Sequence, residues 1–312
     1  MPEITIHPSM ASINLDDVLA ASLQANRLDP KLLYVTPRQA ALWREVSLKH
    51  SPIHSNPEFT RIYREAFART AEEMRAGKIH LVGLGPGTGL KEAELATRLL
   101  SHGREVRFTA IDVSRNLVEE ASKRVARIGA STERHLVCDL AELEYIKGWL
   151  DVEGWKSPRL FTFFGLVPNL EPDFVAQLLR QLLRPGDVLL ASVHLAPVSE
   201  GVSVEAAMEK ILPQYNNAET LAWLRAAMDE WKLDALMEGE QVILETGGKI
   251  PCIRGLASWL TSETAPFQLF FSLRYTPELF AELLRSSGVA GEMLAITACR
   301  EEAIWAVRRS VS

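Results

Sequence analysis

The chain has 312 residues, 47% hydrophobic and 24% charged, which suits one large soluble domain or a domain with a substantial insertion. The formal net charge is −6 and no Lys/Arg block stands out, which argues against nucleic acid as a partner. Cys138, Cys252 and Cys299 are far apart, and none of the seven histidines sits at metal-ligand spacing, so reduced thiols, a cytoplasmic setting and no metal centre are expected.

Residues 1–18 lack a basic stretch followed by an apolar one, so no secretory signal is expected. No apolar run reaches the length of a membrane helix, so no membrane partner is expected. Residues 1–75 read as helices and loops. Leu15 to Leu28 and Pro37 to Lys49 have amphipathic spacing, Ser51 to Pro57 is turn-rich, and Glu58 to Arg75 is a third helix. The pattern then changes. His80 to Leu84 is a short apolar run that ends in Gly85-Pro-Gly-Thr-Gly89, and a helix follows from Lys91 to Ser101. Val106 to Asp112 is a second strand, Ser114 to Ile128 a helix, and His135 to Asp139 a third strand. Leu160 to Phe164 is a fourth strand, Glu171 to Leu183 a helix, and Val188 to Val193 a fifth strand after the turn Arg184-Pro-Gly-Asp187.

Strands alternating with helices imply an α/β fold with a parallel, doubly wound sheet, which binds ligands at the carboxyl ends of its strands. Beyond it, Val204 to Leu236 reads as one or two helices, and Glu240 to Ile253 alternates weakly. Leu269 to Tyr275 is a strand and Pro277 to Ser287 a helix. Glu292 to Cys299 and Ala303 to Arg309 form a hairpin. The expected organisation is a nucleotide-binding core of residues 76–195 and 288–312, with a second, smaller lobe from 1–75 and 196–287.

The glycine loop allows positive φ and close backbone approach, and the helix after it offers free N–H groups. Such loops serve adenosyl, nicotinamide and flavin binders as well as plain tight turns. Asp112, ending the second strand, suits an acceptor for two ribose hydroxyls, or a helix cap shared with Ser114. Asp139, ending the third, suits an acceptor for an adenine amine, with Leu140 against the ring, or again a cap. A nicotinamide reading through Gly83, Gly85 and Thr88 finds no hydride-transfer residues downstream. A P-loop is excluded because no Gly-Lys-Ser/Thr follows.

These residues, with Lys91, Gly165-Leu-Val-Pro-Asn-Leu-Glu-Pro172, Gln214-Tyr-Asn-Asn217 and Phe271-Ser-Leu-Arg-Tyr-Thr-Pro-Glu278, carry a resemblance. The chain resembles the histidine-specific, S-adenosylmethionine-dependent methyltransferases of ergothioneine biosynthesis and their fungal relatives acting on tryptophan-derived amines. The resemblance implies a class I, Rossmann-like methyltransferase core. It implies cofactor contacts from the loop (Gly85, Gly87, Thr88), Lys91, Asp112, Ser114, Asp139 and Leu140, with S-adenosylhomocysteine as product. It also implies that Asn169 and Tyr215 position a small-molecule amine, Ser272 lies in the side-chain pocket, and Tyr34 and His54 belong to a region closing over the site.

Two positions depart from the family. Gly83 stands where the family usually has an acid that helps hold the cofactor's amino group. Phe270 stands two residues before Ser272, where the histidine-specific enzymes have a glutamate that reads imidazole. A phenyl ring cannot accept from an imidazole N–H, so an aromatic or otherwise apolar amine is expected in preference to histidine. N-methylation of a free amino acid or amine, O- or C-methylation on the same scaffold, and a non-catalytic cofactor-binding subunit stay open as readings of the sequence.

Overall fold

Strands that are apolar at nearly every position must be buried on both faces, so helices must cover both sides of the sheet they form. The computed structural model describes residues 2–151, 157–198, 201–261 and 264–310. The first half runs β1 (Glu3–Ile6), α1 (Ser12–Gln24), α2 (Pro37–His50), the one-turn α3 (Pro52–Ser55), α4 (Pro57–Glu73), β2 (Lys78–Leu84), α5 (Leu90–Ser101), β3 (Glu105–Asp112), α6 (Arg115–Ala126), β4 (Arg134–Val137) and α7 (Leu143–Asp151). The second runs β5 (Arg159–Phe163), α8 (Pro172–Leu182), β6 (Val188–His194), α9 (Val204–Glu209), α10 (Ala218–Glu230), β7 (Met237–Glu245), β8 (Cys252–Trp259), β9 (Phe267–Leu273), α11 (Pro277–Ser286), β10 (Val289–Ile296) and β11 (Glu302–Arg309).

Eight strands form one sheet in the order β1-β4-β3-β2-β5-β6-β11-β10. All pairs are parallel except β6 with β11 and β11 with β10. The winding reverses at β2, which puts a crevice at the carboxyl ends of β2 and β5. With antiparallel β11 slotted between β6 and β10, this is the class I, Rossmann-like methyltransferase order.

Val82, Leu84, Ile111, Phe161 and Phe163 face one side, against Ile146 of α7, Leu178 of α8 and Phe280 of α11. Ile79, Leu81, Phe108 and Ala110 face the other, against Phe67 of α4, Leu95 of α5 and Val118 of α6. The antiparallel sheet β7-β8-β9 packs separately, with Leu15, Leu32, Leu33, Trp223 and Leu224 in its core. Gln39 Nε2 (2.8 Å) and Trp231 Nε1 (2.7 Å) both donate to Leu32 O, and Trp223 Nε1 donates to Leu33 O (3.1 Å), which ties the N-terminal segment to α10.

The structure corrects the sequence expectation in several places. Glu3–Ile6 is a strand added beside β4, and α4 packs on the large sheet, so parts of residues 1–75 lie with the core and not with the second lobe. The turn expected at Ser51 to Pro57 contains α3, α7 was not anticipated, and the weak alternation after Glu240 resolves into the hairpin β7–β8. Among the described residues no helix is long and apolar enough to cross a membrane.

At the foot of β5, Arg159 and Asp187 are each 2% exposed. The Asp187 carboxylate accepts from Arg159 N (3.0 Å), Arg159 Nε (2.9 Å) and Arg184 N (3.0 Å). Asp187→Ala leaves a buried guanidinium short of its main partner, and should cost about 3–5 kcal/mol. Urea unfolding should show the midpoint falling with an unchanged slope.

Candidate active site

The crevice is built around the turn that leaves β2. Gly85, Gly87 and Gly89 have φ of +58°, +56° and +72°, the left-handed region that side chains disfavour. Gly85 N donates to Ile111 O (2.8 Å), which ties the turn to β3. A Cβ would lie 2.3 Å from Leu166 Cδ1 at Gly85, 2.7 Å from the Trp43 ring at Gly87, and 2.6 Å from Ala121 Cα at Gly89. Neighbouring elements therefore close to backbone distance on each glycine.

Asp112 ends β3 and is 7% exposed. Its Oδ1 accepts from Ser114 N (2.9 Å), and the backbone N–H groups of Gly87 and Val113 also point at the carboxyl. Burial outweighs these donors and raises its pKa to about 7. Ser114 is fully buried, does not cap α6, and its Oγ has no protein partner. Asp139 lies just past β4. Its Oδ1 accepts from Ala141 N (2.9 Å) and its Oδ2 pairs with Lys31. The carboxylate thus closes a local turn and links to the N-terminal segment but caps no helix, since α7 begins only at Leu143, and Leu140 packs on the adjoining apolar cluster.

Lys91, in the first turn of α5, donates to Tyr63 Oη (2.9 Å), which donates to Glu302 Oε1 (2.5 Å). Its ammonium lies 4.5 Å from the Tyr63 ring centroid and 5.6 Å from that of Phe164, and burial lowers its pKa. Across the crevice, half-buried Asn169 ends the turn Val167–Asn169 after β5, and its Nδ2 donates to Gly165 O (3.1 Å). Tyr215 Oη receives a hydrogen bond from Arg274 Nη2 (2.8 Å) and lies 3.1 Å from Ser272 Oγ and 3.5 Å from His194 Nδ1. Phe270 stacks on the Tyr215 ring at 6.2 Å and 15°, and Trp223 lies 6.3 Å from it. Ser272 is fully buried behind Tyr215.

Electrostatic coupling connects the two sides. Burial raises the Tyr34 pKa, and Asp112 and then Tyr215 add to the rise. Burial also drives the His194 pKa well below its usual value, aided by Arg274 and Lys91, so its imidazole is neutral. His54 is exposed on α3, with its pKa lowered by burial and by Lys91. The Trp43 ring that closes on Gly87 lies 6.1 Å from the Tyr34 ring, and Tyr34 lies 5.4 Å from Trp223 beside Phe270, so a run of aromatic rings joins the glycine turn to the Tyr215 side.

Reading the sequence missed His194, Arg274, Lys31, Glu92, Tyr63 and Glu302. His194 closes the fifth strand at its carboxyl end, a position that flags function in such sheets. Tyr63 and Glu302 come from opposite ends of the chain, and no local pattern links them. The Asp112 carboxyl at the end of β3 and the buried, unpartnered Ser114 Oγ beside it fit the ribose of an adenosyl ligand. Among the described residues no group of His, Cys, Asp or Glu could hold a metal ion.

Sheet order and crevice together define a class I, S-adenosylmethionine-dependent methyltransferase. The model of the histidine-specific, SAM-dependent methyltransferases matches residues 16–222, more than half of the chain, and the chain belongs to that family. No curated protein matches it. Solved structures similar to it include an S-adenosylmethionine-dependent methyltransferase from Clostridium acetobutylicum ATCC 824 (12% identity, 86% of this chain and 98% of that one, TM-score 0.49). Another is a sugar N-methyltransferase from Streptoalloteichus sp ATCC 53650 (14% identity, 80% of this chain and 87% of that one, TM-score 0.40). At these identities and scores the likeness says nothing of this chain's substrate.

Gly89 and Gly103 share a φ of +72°, but nothing lies within 4 Å of a Cβ at Gly103. Gly103→Ala should cost only the left-handed penalty of about 1–2 kcal/mol. Gly89→Ala adds a collision with the Ala121 backbone and should cost about 1–3 kcal/mol more. Melting curves of the two variants should separate accordingly.

Proposed function

We propose that this enzyme N-methylates a small-molecule amine or amino acid whose side chain is aromatic or otherwise apolar, and that histidine is a poor substrate. The observation that carries this reading is Phe270, stacked on Tyr215 beside Trp223 at the position where the histidine enzymes keep a glutamate. An apolar wall there favours an apolar side chain and leaves an imidazole N–H without an acceptor. In this proposal the large sheet serves the cofactor, and the small sheet with α1, α2 and α10 serves the acceptor.

S-adenosylmethionine supplies a methyl group already activated on a sulfonium, so the protein's work is binding, alignment and exclusion of water. Asp112 accepts the ribose hydroxyls, and Lys91 faces the cofactor's carboxylate. Asp139 and Leu140 flank the adenine, so the cofactor shares Asp139 with Lys31. Asn169 and Tyr215 orient the acceptor nitrogen in line with the transferring methyl. Such positioning contributes about 7–11 kcal/mol in favourable systems. The attacking amine must be neutral. Lys91 and Arg274 both act on His194 beside Tyr215, and the same cations disfavour an ammonium there, so the amine sheds its proton to water before attack. Because Tyr215 Oη already accepts from Arg274, its own proton is free to donate toward the acceptor or His194.

A methylation screen over amino acids and aromatic amines, read by mass and fragmentation, tests the reading. The expected result is methyl on nitrogen of an apolar or aromatic amine. Methyl on oxygen or carbon, no product at all, or histidine turned over as well as the best hit would each refute it. Phe270→Glu should raise histidine affinity about tenfold or more, the worth of one hydrogen bond to a charged group.

The Asp112 assignment has its own pH signature. The ribose hydroxyls donate to the ionised carboxylate, so below the raised pKa of about 7 a proton must leave on binding. Affinity for S-adenosylhomocysteine should therefore fall by up to about tenfold per unit below that pKa and level off above it. Calorimetry across this range should show proton release at the acid end, and Asp112→Asn should weaken binding and remove that component.

A further inference from the structure

The family's missing acid at position 83 leaves a question of charge. The strand position itself has no room for it: a Cβ at Gly83 would lie 2.9 Å from Pro86 Cβ, 3.2 Å from Pro86 Cγ and 3.3 Å from Phe108 Cε2. Gly83 falls on the face of β2 that α5 covers, as its neighbour Leu81 does. Its register partner on β5 is Thr162, which faces the same side. Thr162 Oγ1 donates to Glu92 Oε1 (2.8 Å), and Glu92 stands in the first turn of α5, next to Lys91. A carboxyl group from the helix therefore lies beside the strand position that lacks one.

That carboxyl is 2% exposed, and its Oε2 has no hydrogen-bond partner. Among the described residues it forms no ion pair, since the neighbouring Lys91 ammonium donates to Tyr63. Burial raises its pKa against the lowering effects of its own backbone N–H, of Thr162 and then of Lys91, and its charge is felt at both Asp112 and Tyr63. A buried acceptor left open costs stability unless a ligand or water fills it. Its bond from Thr162 sets it beside Gly83 near the carboxyl end of β2, and its charge acts on Asp112 at the end of β3.

We propose that Glu92 takes over the role of the missing acid, its open oxygen facing the α-ammonium of the cofactor's amino-acid tail. Glu92 is a positioning residue for the cofactor in this account, whichever acceptor is methylated. Thr162 orients it, and Gly83 leaves its place on the strand to Pro86. Lys91 then faces the carboxylate of the same tail, so the tail's two charges meet opposite charges on adjacent residues of one helical turn.

Calorimetry on the full chain with two probes tests this: S-adenosylhomocysteine, and methylthioadenosine, which has the nucleoside but no amino-acid tail. Glu92→Gln keeps the shape and the bond from Thr162 but loses the charge. It should weaken S-adenosylhomocysteine about tenfold or more and leave methylthioadenosine within about twofold. Its melting temperature should hold or rise, because a buried carboxyl has been removed. Thr162→Val, which frees Glu92 without altering it, should weaken S-adenosylhomocysteine less and spare methylthioadenosine. Unchanged binding of S-adenosylhomocysteine by Glu92→Gln, or equal losses for both probes in either variant, would overturn the assignment.

Discussion

The turn after β2 is the constraint on which the rest of the site depends. Five residues must leave a buried strand, reverse, and enter a helix while three other elements press on them. Trp43 of α2, Leu166 after β5 and Ala121 of α6 all approach positions without a Cβ. The bond from Gly85 N to Ile111 O holds the turn to β3, whose end is Asp112, and Asp112 in turn receives the N–H of Gly87. Loop, acid and substrate-side cover are therefore one packed unit. A shift in any of them moves the others, because interiors packed at this density do not absorb displacements locally.

The electrostatics of the cleft follow from that packing. Asp112 is desolvated to the point of titrating near neutrality despite three backbone donors. On the far side the Arg274 side chain is 2% exposed, holds Tyr215 and leaves its Nε without a partner. Burial, with Arg274 and Lys91 adding to it, holds the His194 pKa well below its usual value. The wall built from β3 and α5 thus carries the acids Asp112 and Glu92 together with the cation of Lys91, and a second cation, Arg274, stands beside Tyr215. Buried charge of this kind is unfavourable in the free protein and is offset when a ligand brings the opposite sign.

Much of this was legible in the sequence, for a physical reason. Buried parallel strands are continuously apolar and end at the binding edge, so β2, β3, β5 and β6 and the acids after β3 and β4 could be read from local pattern. What escaped depends on non-local pairing. The strand Glu3–Ile6 is too short for a pattern and exists because β4 offers it an edge. The helix Leu143–Asp151 follows a short strand and a turn with no strong start signal. The links Lys91–Tyr63–Glu302 and Lys31–Asp139 join residues far apart in sequence. Ser114 illustrates the converse: its position suggested a cap, yet the Asp112 carboxylate takes its N–H and its own hydroxyl bonds nothing.

The two departures from the family pattern are alike in sequence and different in space. Each replaces an acid with a residue that cannot carry charge. At Gly83 the structure supplies a carboxyl alongside, from Glu92 through Thr162. At Phe270 the described ring neighbours are Tyr215 and Trp223, and the ring covers Gly255, where a Cβ would lie 2.3 Å from Phe270 Cδ1. A chain drifting away from catalysis has no reason to keep a buried, hydrogen-bonded acid at a cost to its own stability on the cofactor side. In the proposed reading, charge kept on the cofactor side and an apolar Phe270 on the acceptor side belong together in a methyltransferase whose acceptor is not histidine.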